Sequence, residues 1–161
     1  SEAYPTDGNL GDDAPPEDRL NAHIRAILGT IFDDGRVGNF AKVMFSEFGT
    51  PTKEFHEVVH ATFHPLKEKM DGIVRSLLGE GATESEVFLC GMSVVNQCMA
   101  FAHRRELRRH IVEQEGGGPL NSDILSEHIA EFSLGGMRAV RERIMRSAQG
   151  LSEPADMKDL I

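Results

Sequence analysis

Apolar residues recur at helical spacing along most of this chain, in long runs separated by clusters of Gly, Pro, Asp and Asn. Leu20, Ile24, Ile27, Leu28 and Ile31 fall on one helix face from Pro16 onward, and Asp33-Asp34-Gly35 closes that segment. A shorter helix is predicted from Phe40, Val43, Met44 and Phe48, with Gly49 as its stop. Thr50-Pro51 then supplies an N-cap and a first-turn proline. The long helix they open carries the stripe Phe55, Val59, Thr62, Phe63, Leu66, Met70, Ile73, Val74 and Leu77. Pro65 lies inside that stripe, where it removes a donor and crowds the carbonyl of Ala61, so a kink is predicted there. Gly79 and Gly81 end the run, and Thr83-Glu84-Ser85-Glu86 reads as a capping box for the next helix. That helix is expected to continue to near His110, before the Gly116-Gly117-Gly118-Pro119 break. Asn121-Ser122 caps a last helix with Ile124, Leu125, Ile129, Phe132, Gly136, Met137, Val140 and Ile144 as its apolar positions. With neither strand alternation nor an internal repeat, the predicted class is all-α, with about five helices. Residues 1–16 read as a linker or arm, 17–148 as the folded domain, and 149–161 as a flexible tail.

The run Val87–His110 is the most informative, because it is apolar nearly all round, holds Asn96 and Gln97 within it, and then turns basic. A helix of that kind is expected to be buried on nearly all sides, and its interior amides then need partners. Gly91, Val95, Cys98 and Ala102 form a small-residue face suited to close helix approach. Met92, Asn96, Met99 and His103 form a neighbouring face, flexible and mildly polar, of the kind that adapts to irregular ligands. Spacing alone leaves two readings open. Either this face lines a ligand cleft, or Asn96 and Gln97 bond to backbone or across a dimer.

His56-Glu57-Val58-Val59-His60 matches HExxH, in which two histidines one turn apart bind zinc and the glutamate polarises the metal-bound water. His64 adds a third histidine, but too early for the longer spacing with a Gly turn that a third ligand of this kind requires. Nothing flanking the downstream glutamates selects one of them as a ligand, and there is no strand to hold an extended substrate. A histidine face beside the core stripe is the simpler reading.

Composition narrows the function classes further. At 161 residues the chain is long enough for one domain with its own core. A net charge of −9 argues against nucleic-acid binding by these residues alone, since duplex binding needs cationic surface. The one dense basic cluster, Arg104, Arg105, Arg108 and Arg109, is read as a helix-end cap. Cys90 and Cys98 are the only cysteines; on one helix they stand about 12 Å apart, too far for a mutual disulfide. The expected compartment is reducing and cytoplasmic, with no signal peptide and no membrane span.

Several stretches together carry a resemblance. They are Ala3-Tyr4-Pro5 before an acidic linker, Pro16-Glu17-Asp18-Arg19-Leu20, MFSEFGTPT from Met44 to Thr52, and the Phe63-His64-Pro65-Leu66 turn. LCGMSVVNQCMAF from Leu89 to Phe101 and HIAEFSLGGMRAV from His128 to Val140 complete the set. In that order, over roughly residues 3–145, the chain resembles the C-terminal ligand-binding and dimerisation region of TetR/AcrR-type transcriptional regulators, in particular the CecR (CerR) C-terminal domain. The resemblance implies a non-enzymatic, cofactor-free, all-α sensor joined to an N-terminal helix-turn-helix. No such motif precedes residue 17, so DNA binding is expected to belong to a head outside these residues. It further implies a homodimer whose last two long helices, 84–110 and 121–147, pack as a four-helix interface. Gly91, Val95, Cys98, Ala102, Phe132, Gly135, Gly136, Met137 and Val140 are the expected interface residues. A small hydrophobic or drug-like effector is implied among the preceding helices, in contact with His60, Phe63, His64, Met92, Asn96, Met99 and His103. The alternatives weighed against this are a zinc hydrolase using His56, Glu57, His60 and His64, and a helical interaction module without a ligand.

Overall fold

The computed structural model describes residues 10–32, 53–102 and 122–150, with side chains in the parts 10–30, 64–100 and 122–150. These residues form α1 (Pro16–Phe32), α2 (Lys53–Leu78), α3 (Glu84–Ala102) and α4 (Ser122–Ala148), and among them there is no strand. The fold is all-α, as the periodicity predicts. The expected short helix at Phe40–Phe48, the continuation of α3 toward His110, the Thr50-Pro51 cap and the tail from Leu151 lie outside the described residues.

Local chemistry sets the helix ends. The chain enters α1 through a turn in which the Ala14 N–H donates to the Gly11 carbonyl at 3.1 Å. Arg19 ties that turn down, its guanidinium 2.8 Å from Asp12 Oδ1. Helix α2 runs unbroken across Pro65 and stops at Gly79, whose φ of 91° is left-handed. The Gly79 N–H reaches back to the Arg75 carbonyl at 2.9 Å, satisfying one of the orphan acceptors of the last turn. The capping box of α3 is formed: the Thr83 N–H donates to Glu86 Oε2 at 2.8 Å, and the Glu86 N–H donates to Thr83 Oγ1 at 3.3 Å.

Each helix touches the other three, and the α1–α4 contact is the most extensive. The core is the shared interior of this four-helix arrangement. Leu20, Ile24 and Leu28 come from α1, Ile73, Val74 and Leu78 from α2, Val87, Val94 and Cys98 from α3, and Leu125, Ile129 and Met137 from α4. Two antiparallel pairings fix the register. Arg75 makes a two-pronged bond to Glu84, at 2.9 and 2.8 Å, while further along a Cβ on Gly91 would lie 3.2 Å from Met70 Cγ. Arg143 donates to Glu86 at 2.9 Å, and Gln97 Nε2 donates to Ser133 Oγ at 3.2 Å. Thus α3 runs antiparallel to α2 on one side and to α4 on the other. No described helix is long and apolar enough to cross a membrane.

Candidate functional site

Helix α3 is the element on which the expected functions converge, and the fold divides its circumference into arcs. At 3.6 residues per turn, Val87, Gly91, Val94 and Cys98 fall on one arc, and all four are buried in the chain's own core. Gly91 and Cys98, expected at a subunit interface, thus lie in the interior of their own chain. Gly91 does serve close helix approach, but to Met70 of α2 within the same chain. Met137, expected at the interface from α4, is likewise a core residue, 4% exposed. Val95 and Val140 are partly buried against the core, and the side chain of Ala102 lies outside the described residues.

On the arc toward α2 lie Phe88, Val95 and Met99, and Met92 and Asn96 continue it round to the outer side. Phe88, Met92 and Asn96 are exposed, while Met99 packs partly on the core. Lys67 of α2 stands 6.0 Å from the centre of the Phe88 ring and pairs with Asp71 on its own helix. The antiparallel register that sets Met70 beside Gly91 brings the His64 turn of α2 about level with Asn96, and the Phe63 turn about level with Met99. His64 is exposed, its Nδ1 3.5 Å from Glu68 Oε2. His56, Glu57, His60 and Phe63 sit on the N-terminal half of α2, with their side chains outside the described residues, and His103 lies outside them altogether. Among the described residues, no cluster of three or more His, Cys, Asp or Glu side chains could hold a metal.

The amide pair separates. Gln97 turns toward α4, donating to the Ser93 carbonyl and to Ser133 Oγ, both at 3.2 Å, so it takes the structural role that spacing had left open. Asn96 is exposed, between Met92 and Leu89 on the helix face.

The remaining arc of α3 continues onto α4 as one outer side. Leu89, Ser93 and Ala100 are exposed on α3, and His128, Phe132, Gly135, Gly136 and Ala139 are exposed on α4. Leu89 at 62% and Phe132 at 67% are the most exposed large apolar residues described. The His128 and Phe132 rings stack with centroids 6.3 Å apart. Leu89, Ser93, Ala100 and Ala139 were not singled out from the sequence. Their i, i+4, i+11 spacing on α3 is readable, but a helix apolar on every side does not say which arc is the core. Nor is the run buried all round, since Phe88, Leu89 and Met92 remain open in the single chain.

Two thiols differ in setting. Burial pushes the Cys98 thiol up to about 12, while Cys90, half-buried beside Glu86, is raised by burial first and by that carboxylate second. Neither is a poised thiolate.

No curated protein matches the chain, and no solved structure matches it. Residues 16–137, which span α1, α2, α3 and the first half of α4, match the family described as HTH-type transcriptional dual regulator CecR, C-terminal domain. The chain belongs to this family of TetR-like regulator C-terminal domains.

Proposed function

We propose that this domain senses a small hydrophobic or drug-like effector and passes its binding, through a homodimer, to a helix-turn-helix head outside these residues, acting as a repressor. The observation that carries the reading is the division of α3. One stretch of its exposed face carries Met92 and Asn96, with Met99 partly on the core, and the adjoining stretch merges with α4 into an open apolar side. Two methionines and one amide next to a long helix form an adaptable wall with a single orienting group, which suits an irregular apolar ligand. His60, Phe63, His64 and His103 complete the proposed effector contacts. The open α3–α4 side, with Phe132, Gly135 and Gly136 at its centre, is the proposed seat of the second copy. Because one helix borders both, a ligand that shifts α3 shifts the pairing surface, and the coupling expected of such a device is about 1–3 kcal/mol.

The test is a thermal-shift screen of the purified chain against amphipathic drug-like compounds. A ligand that binds only the native state must raise its midpoint. At least one compound is expected to do so, and the combined variant Asn96→Ala, His60→Ala is expected to lose most of that shift. An effector affinity unchanged in that variant sinks the assignment of the site.

A further inference from the structure

Past residue 137, where the family match stops, α4 runs on to Ala148 for about three further turns. These turns are not free of the bundle. Val140 and Ile144 pack against the core, and Ile144 reaches the corner between α2 and α3, where a Cβ on Gly81 would lie 3.0 Å from its Cγ2. One residue earlier, Arg143 donates to Glu86 in the first turn of α3 at 2.9 Å. The Glu86 side chain is only 19% exposed, which shields that pair; the Arg75–Glu84 pair across the same corner has its glutamate 85% exposed and contributes little by itself. The corner is also set from within, by the left-handed Gly79, by the Ala82 N–H donating to the Gly79 carbonyl at 3.1 Å, and by the capping box.

The other end of α3 is held differently. Cys98 is its last fully buried residue among those described, Met99 packs only partly on the core, and Ala100 is exposed. The bond described there to another helix, from Gln97 to Ser133 at 3.2 Å, joins two neutral groups. We infer that the last three turns of α4 are a brace that makes the α2–α3 corner the fixed end of α3, so that the helix yields first beyond Cys98. The brace itself needs no ligand. It rests on the sensing read above only for its use: a ligand at Asn96 and Met99 bears on the yielding end, tilts α3 about the corner, and displaces Ala100 more than Leu89.

Native-state hydrogen exchange of the full chain, read at single amides by NMR without any ligand, tests the brace. In wild type the Val87–Leu89 amides should exchange only through global unfolding, and the Met99–Phe101 amides at least about tenfold faster through a smaller opening. The combined variant Arg143→Met, Ile144→Ala should raise the Val87–Leu89 rates by about tenfold or more while leaving the Met99–Phe101 rates unchanged. Circular dichroism checks that it keeps its helix content, and Arg143→Met alone gives the same comparison, in smaller measure, should the combined variant fail to fold. Equal rates at the two ends of wild-type α3, or a variant that speeds both ends by the same factor, overturns the brace. A thermal-shift screen that finds no ligand, with the exchange gradient intact, overturns the sensing and leaves the brace standing.

Discussion

Glu86 accepts hydrogen bonds from the Thr83 N–H and the Thr83 hydroxyl, both at 2.8 Å, and from Arg143 at 2.9 Å. The backbone bond from Thr83 is the largest cause holding its carboxyl below the ordinary value and the Thr83 hydroxyl the next; burial opposes them, and Arg143 adds a smaller lowering effect. A depressed folded value means that the stabilisation is present above the unfolded carboxylate range and is lost as pH falls through the folded value. Glu86→Gln keeps a capping side chain but gives up the charge. Urea unfolding is therefore expected to find wild type more stable than Glu86→Gln at pH 7, the gap closing as pH falls through the depressed folded value. A gap unchanged under acid would show that the charge contributes nothing. The T-x-x-E spacing made the capping box legible in the sequence. The bond to Arg143 was not, since it joins residues far apart in the chain. Asn96 and Gln97 make the same point. They are adjacent and alike in chemistry, yet Gln97 turns to Ser133 while Asn96 stays exposed, a choice made by where α4 lies.

At the scale of elements, the helix ends were the most readable part. Pro16 opens α1, Gly79 closes α2 and Ser122 opens α4, because caps and breakers act within a few residues of themselves. Gly79 gives the sharpest test. Its φ of 91° suits glycine alone, and a Cβ there meets nothing within 4 Å, so the whole cost of a side chain is conformational. Gly79→Ala is expected to destabilise the domain by about 1–2 kcal/mol in denaturant unfolding, with the m-value unchanged. No loss of stability would mean that the α2–α3 turn relaxes freely. The phase of α3 was what spacing could not supply. The small-residue set Gly91, Val95, Cys98 and Ala102 has the spacing of an interface, and three of its members now have known surroundings. Gly91 and Cys98 lie in the interior and Val95 against its edge, while the open side is made by Leu89, Ser93 and Ala100 instead. Small residues permit close approach of any helix, and the nearest was α2 of the same chain.

At the scale of the whole molecule, Cys98 reports on the integrity of the core that all four helices build. It is fully buried and its thiol is pushed up to about 12, so in the native state it is both neutral and out of reach near neutral pH. Alkylation of Cys98 at pH 8 is expected to proceed only through opening of the bundle, its rate tracking the unfolded fraction in urea, with half-buried Cys90 reacting first. Labelling of Cys98 as fast as Cys90 in the absence of denaturant would mean that the α3–α4 side opens locally. Sequence by itself determined the all-helical class, the start of α1, the end of α2, the capping box of α3 and membership of the family, because helical period, caps and ordered motifs are properties of neighbouring residues. Tertiary structure alone decided which arc of α3 is core, which faces α2 and which remains open with α4. An arc apolar on every side carries no phase of its own, and only the positions of the other three helices supply one.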